Sequence, residues 1–335
     1  MIAVAPDTYN DSETLMKVLA ICAAFVASLL TVQPAAAQPY PSKSVRIIVP
    51  YQPGQGTDVA TRYLAEHLTK AMGQTFFVEN RAGAGGNIGA SEVARAAPDG
   101  YTLLMGTNGT HVLNQYLYPS MPFDPEKDFE PVMLVSSFPM VFLTQPSAPY
   151  NSLPDLLRDA KAKPDSLNVA LPSTTARLVL ELLNQQGSTA IRGIPYKGSG
   201  TSMTDLIGGQ VSVAIDTVSA SRSFIASGKL KALGVTSLKP SALLPGGKPV
   251  AAQGMDGFQV LAWNGLYVPR GTPGTVVQKL NTELAKILAQ PEVRQRLLEL
   301  GHEPAGGSPA DLADFAKSER LKWGPVIAKA GLKAD

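Results

Sequence analysis

Cysteine is nearly absent from this sequence. One residue, Cys22, serves a chain of 335. That excludes a disulfide framework and a multi-cysteine metal site. Histidine is almost as scarce, and His67, His111 and His302 share no metal-ligand spacing. No H-E-x-x-H, G-x-S-x-G, S-x-x-K or Walker A pattern occurs. A Ser/His/Asp triad leaves no fixed spacing in a sequence, but no serine here stands on a nucleophile elbow. Charge is sparse and balanced: 17% of residues are charged and the net is +2, which argues against a nucleic-acid partner. No long polar tract is present, so wholesale disorder is excluded. What is abundant is apolar side chain, 44% of the total, enough to fill one large domain or two ordinary ones.

The longest apolar run lies near the start. Lys17 is followed by apolar residues 18–30 and then by Ala35-Ala36-Ala37. A basic residue, a short apolar core and an A-x-A end describe a secretory signal peptide spanning 1–37, with cleavage after Ala37 and Gln38 as the first mature residue. Met16 directly precedes Lys17 and is read as the initiator, because the residues before it are polar and acidic. Cys22 lies in the middle of the run, the wrong place for lipidation. Losing this leader removes the only cysteine and moves the net charge from +2 to +4. No later stretch reaches the 18 or so apolar residues that a membrane span needs.

Beyond residue 38, short β-rich runs alternate with helical ones. Residues 45–49 read as a buried strand, and 58–72 as a helix with Ala60, Leu64, Leu68 and Met72 on one face. Strand 76–79, helix 88–97 and strand 101–105 follow. Pro139 breaks the apolar run 132–143. Then come helix 153–162, strand 167–171, helix 176–186, strand 193–196, helix 201–208, strand 211–215, helix 219–227 and strand 230–236. Residues 259–269 are extended, 276–288 and 292–300 are helices, and Gly324-Pro325 should kink or break the last helix, 312–330. The pattern is α/β, with mixed sheets flanked by helices.

One segment echoes another. V-P-Y-Q-P-G-Q-G-T at 49–57 resembles I-P-Y-K-G-S-G-T at 194–201. In both, Pro-Tyr ends a strand, glycines turn the chain, and a helix begins at once. Free N–H groups and the positive end of the helix dipole then form an anion site made of backbone. Two such sites could hold the two ends of a diacid at the sheet edge where ligands of open α/β folds bind. The plain alternative is two ordinary strand–helix turns. A third glycine cluster, Gly83-Ala84-Gly85-Gly86, looks like a loose dinucleotide fingerprint, but Asn80-Arg81-Ala82 separate it from its strand and no acid follows Met105-Gly106. It reads better as a tight helix start.

These residues resemble the periplasmic receptors of tripartite tricarboxylate transporters, the Bug receptors. The resemblance rests on Y-P-S-K at 40–43, I-V-P-Y-Q-P-G-Q-G-T-D at 48–58, V-E-N-R-A-G-A-G-G-N-I-G at 78–89, A-P-D-G-Y-T-L-L at 97–104 and P-Y-K-G-S-G at 195–200. It implies a two-domain Venus-flytrap, periplasmic binding protein-like fold, with domain 1 at 38–143 plus 255–335 and domain 2 at 144–254. It implies a small carboxylate in the interdomain cleft, no catalysis, no cofactor, no metal, and integral-membrane transporter subunits as partners of a monomer. An exported enzyme using the same cleft, or a solute sensor, are the alternatives.

The ligand-lining positions that the resemblance implies are Tyr51, Gly54, Gly56, Thr57 and Asp58 in the first loop, and Gly106, Thr107 and Asn108 after the third strand. Tyr196, Lys197, Gly198, Ser199 and Asp216 would face them. Ser173 and Thr174 belong to a loop that is shorter here than the family pattern, and Gln55 replaces a common glycine. Each position also has a plain reading: Tyr51 and Tyr196 as core, Asp58 as a helix cap, Asp216 as a turn residue, Lys197 as a solvated charge. Trp263 reads as hinge or core packing.

Overall fold

The structure, a computed structural model, describes Met16 and residues 40–163 and 166–333. The leader segment 17–37, with Cys22, lies outside the described residues. Pro41–Asp335 cluster as one compact unit.

Strands β1 (Val45–Val49), β2 (Phe76–Asn80) and β3 (Thr102–Thr107) are parallel, in the order β2-β1-β3. Helix α1 (Gly56–Met72) connects β1 to β2, and α2 (Asn87–Ala94) connects β2 to β3. Strand β9 (Leu261–Pro269) adds antiparallel to β3, and β4 (Phe129–Thr144) pairs antiparallel with β9. A second sheet runs from β4 through β7 (Val213–Thr217) and β5 (Asn168–Leu171) to β6 (Arg192–Pro195). The expected mixed α/β architecture is what the chain adopts.

β4 belongs to both sheets. Its first part pairs with β9 as far as Pro139↔Leu261 and with β10 (Glu303–Gly306) on the other side. From Met140 onward it pairs with β7 and with β8 (Lys231–Val235). Pro139 was expected to break this run. Instead the strand is continuous for 16 residues. Proline lacks an N–H, and here it stands where the ladder to β9 ends. The next amide, Met140 N–H, donates to Thr236 Oγ1 at 2.8 Å, so the change of sheet leaves that donor satisfied.

The last helix runs continuously from Pro309 to Ala330 through Pro325, so it is not broken there. Trp323 and Ile327, on either side of the proline, are 2% and 1% exposed. Packing of both halves against the core outweighs the local breaker. Two elements carry no sequence signal: a π-helical turn (Gly109–Leu113) after β3, and β10, whose Pro304 and Gly306 disguise an edge strand.

The remaining helices are α3 (Asn114–Leu117), α4 (Leu153–Ala162), α5 (Thr174–Gly187), α6 (Ser199–Ile207), α7 (Val218–Ala226), α8 (Gly274–Ala289), α9 (Pro291–Glu299) and α10 (Pro309–Ala330). One contiguous core threads both sheets, from Ile48 and Leu104 through Phe142 and Trp263 to Leu171 and Leu183. Among the described residues no helix is long and apolar enough to cross a membrane.

Candidate functional site

Five strand ends feed helices that begin near one another. The loop after β1 opens α1, the loop after β3 opens the π-helical turn, and α5, α6 and α7 start directly after β5, β6 and β7. Cross-contacts join them. Asn108 Nδ2 donates to Thr175 Oγ1 at 2.9 Å. A Cβ on Gly56 would lie 3.0 Å from Ser219 Oγ, and one on Gly198 would lie 3.4 Å from Gln55 Nε2. Four helix N-termini, of α1, α5, α6 and α7, therefore share this edge. Their first amides and their dipoles favour negative charge.

The first loop is built around Asp58. Gly54 takes φ +83°, a left-handed conformation that glycine adopts without strain. Its N–H donates to Asp58 Oδ2 at 2.8 Å. Arg62 Nε and Asn80 Nδ2 also donate to the Asp58 carboxylate, at 3.1 and 2.8 Å. Burial pushes this carboxyl up, but the bonds from Arg62, Gly54 and Asn80, with the Arg62 charge, outweigh that and hold it below the ordinary carboxylate value. Asp58 is therefore not the cap expected of it: the helix starts at Gly56 behind Gln55, Asp58 lies in its first turn, and the Gly54 amide is already spent inside the loop.

A depressed folded-state pKa adds stability that is present above the unfolded pKa and disappears as pH falls through the folded one. Asp58→Asn is therefore expected to destabilise the fold by about 1–3 kcal/mol at neutral pH, with the gap to wild type closing in strong acid. Urea denaturation at neutral and acidic pH checks this; an equal gap at both would show that the charge is irrelevant.

Tyr51 and Thr107 join the two loops of the first sheet, with their oxygens 2.7 Å apart, and burial raises the Tyr51 pKa. Thr57 Oγ1 donates to Asn264 Oδ1 at 3.1 Å. Asn264 lies beside Ser136, whose Oγ is 3.2 Å from His302 Nδ1. His302 is fully buried beside the Gly56 backbone, and burial, outweighing a hydrogen bond with that backbone, brings its pKa down to about 4, so the ring is neutral at neutral pH. Gly106 has no free face: a Cβ there would lie 2.6 Å from the His111 ring and 2.8 Å from Tyr267. Its role is to let those stacked rings in.

On the second sheet, Ser173 caps α5 by accepting from Ala176 N–H at 3.1 Å, so the shortened loop ends sooner than expected and Thr174 is the first helical residue. Tyr196 OH donates to Asp205 Oδ2 at 2.7 Å, and Lys197 is exposed. Gly198, at φ 172°, is extended. Ser199 Oγ and Thr217 N–H donate to Asp216 Oδ1 at 3.0 and 2.7 Å. Asp216 is 2% exposed, and its Oδ2 has no partner among the described residues. Burial pushes its pKa up to about 6, against those two residues.

Thr175, Ser219, Asn264 and His302 were missed in the sequence because their partners lie far off in the chain. Two open cavities of about 420 and 410 Å3 lie elsewhere, around Lys161 and Ser188 at the far ends of α4 and α5. At the glycine cluster 83–86 and the helix it opens, a Cβ on Gly86 would meet Thr110 at 2.8 Å and one on Gly89 would meet the Arg81 carbonyl at 2.7 Å, so both glycines serve close packing at the helix start.

The family model described as "Tripartite tricarboxylate transporter family receptor" matches residues 60–332. The chain belongs to this receptor family. It is 34% identical to protein BugT of Bordetella pertussis over 322 residues, covering 95% of this chain and 99% of BugT. Among solved structures, R. palustris Rpa4515 with adipate superposes with a TM-score of 0.84 at 35% identity, covering 88% of this chain and 99% of that one. MatC of Rhodopseudomonas palustris with bound malate gives 0.78 at 34% identity, over 86% and 100%. Among its described residues no group of three or more His, Cys, Asp or Glu is placed to hold a metal ion.

Proposed function

We propose that this receptor is exported, captures a small carboxylate between two domains, and delivers it to the membrane subunits of a tripartite transporter. The observation that supports this most is the meeting of four helix N-termini at one edge, through Asn108–Thr175, Gly56–Ser219 and Gln55–Gly198. Backbone amides and dipoles of that kind bind anions without a dedicated arginine. The adipate and malate of the two solved relatives fit the same chemistry. The proposed domains are 38–143 plus 255–335 and 144–254. The chain passes from one to the other along β4, a few residues after the Pro139–Met140 step where pairing passes from β9 to β7. Closure about such a crossing encloses ligand without rebuilding either core. The leader is cut after Ala37, and the receptor acts as a monomer that needs no cofactor.

Thermal unfolding and calorimetry with adipate, malate, acetate and putrescine test this reading. A dicarboxylate at a hundredfold excess over its Kd is expected to stabilise the receptor by about 2.7 kcal/mol, putrescine by nothing. Mass spectrometry of the same samples should recover the ligand unchanged and a protein beginning at Gln38. Steady conversion of the ligand would instead make the cleft an enzyme's, and stabilisation by putrescine alone would reverse the sign of the site.

A further inference from the structure

Asp216 is anomalous in a site that attracts anions. It lies between the N-termini of α6 and α7, accepting from Ser199 and Thr217 through Oδ1 alone. Oδ2 is buried and has no partner among the described residues. Among the described residues no cation pairs with the group, and Arg177 of α5, which also packs on β7, acts on Glu181 of its own helix. Lys197, on the adjoining loop, is exposed. Arg222 of α7 donates to the Glu299 carbonyl, and Asp205 of α6 is taken by Tyr196. β5 carries no charged residue, and β4 meets Asp216 with Val141. Across the site, Asp58 is held by Arg62, and His302 beside Gly56 is neutral. An ionised carboxylate with one oxygen buried and bare is costly. A second anion arriving nearby makes it costlier, because two carboxylates sharing a site keep one proton between them.

We propose that Asp216 meets the ligand as a neutral carboxyl, its Oδ2–H donating to a ligand carboxylate, so that each capture event takes up one proton from solvent. This rests on the carboxylate-receptor reading and deepens it. The Asp216 O–H stays intact, the ligand oxygen remains the acceptor, and the contact is a charge-assisted O–H···O− bond, stronger than a neutral one. Such a site discriminates. It favours acids over isosteric amides, and it rejects any solute that brings only hydrogen-bond donors to this point. Burial already raises the carboxyl to about 6 in the free protein, so the proton is available near neutrality.

The sign follows from linkage. A group whose pKa rises on binding leaves affinity flat below its free pKa, then weakens it by about tenfold per pH unit above, until the pKa of the complex is passed. Calorimetry of adipate and malate between pH 6 and 8.5, in buffers of different ionisation enthalpy, reads the effect. Uptake of close to one proton at pH 7.5 and a rising Kd are expected. In Asp216→Asn the amide N–H replaces the carboxyl O–H, so dicarboxylate binding should persist, without proton uptake and with a flat pH profile. A flat wild-type profile with no proton uptake would overturn the proposal while leaving the receptor reading standing. Loss of binding in Asp216→Asn with its melting temperature unchanged would also overturn it, and would mean that ionised Asp216 faces a donor on the solute. Absence of binding by any carboxylate even at pH 6 would remove the receptor reading and this proposal together.

Discussion

Gly56→Val is expected to weaken dicarboxylate binding about 5- to 150-fold while the ligand-free protein keeps its fold. The backbone at Gly56 is not left-handed, so strain is not the reason. The reason is close approach: a Cβ there would lie 3.0 Å from Ser219 Oγ and 3.3 Å from His302 Nε2. Those neighbours lie on different sides, Ser219 on α7 and His302 just after α9. A valine must push α1 away from α7, and overpacking of that kind costs about 1–3 kcal/mol. If the domains separate when empty, the open form escapes the clash with Ser219, and that part of the cost falls on the closed, liganded form, while the close approach to His302 is present in both. At about 1.4 kcal/mol per factor of ten, this gives the stated range. Calorimetry supplies the affinity and melting without ligand supplies the control. Gly56→Ala, which adds only the Cβ, should fall between. Wild-type affinity in the valine variant would mean that the Gly56–Ser219 contact plays no part in capture.

The same contact shows what a sequence can and cannot reveal here. Strand–helix alternation, Gly54 as a turn residue and the echo between 49–57 and 194–201 are local, and each is visible in neighbouring side chains. The partners that organise the site are not local. Thr57 finds Asn264 at a separation of 207 residues, and Asn108 finds Thr175 across 67. Nothing in the residues around Thr175, Ser219 or His302 marks them, because their significance comes only from what the fold sets opposite. Pro139 and Pro325 mislead for a related reason. Their local preference to break is real, but burial of Trp323 and Ile327 and the handover of β4 between sheets override it. Asp58 reverses the usual expectation of a cap: what holds it is Arg62 four residues on and Asn80 on the neighbouring strand.

Trp263→Ala is expected to cost about 3–5 kcal/mol of stability, the range for emptying a large aromatic from a core. Trp263 is fully buried on β9, edge-on to Phe315 of α10 with ring centroids 5.5 Å apart. It pairs with Ser137, two residues before β4 changes sheets. Because domains of this kind are stable by only about 5–15 kcal/mol, the loss is a large share of the total. A lower urea midpoint with an unchanged slope would report it. The indole Nε1 has no partner among the described residues, so a buried donor already weakens this site. Trp263→Phe keeps an aromatic ring and removes that donor, and is expected to recover much of the alanine loss. Binding should fall in the alanine variant beyond what the lower stability explains, since the next residue, Asn264, holds Thr57 in the first loop. An alanine variant within 1 kcal/mol of wild type would show that the surrounding strands close over the gap. Normal carboxylate affinity in a variant that is destabilised as expected would separate the core under β9 from the loop it carries.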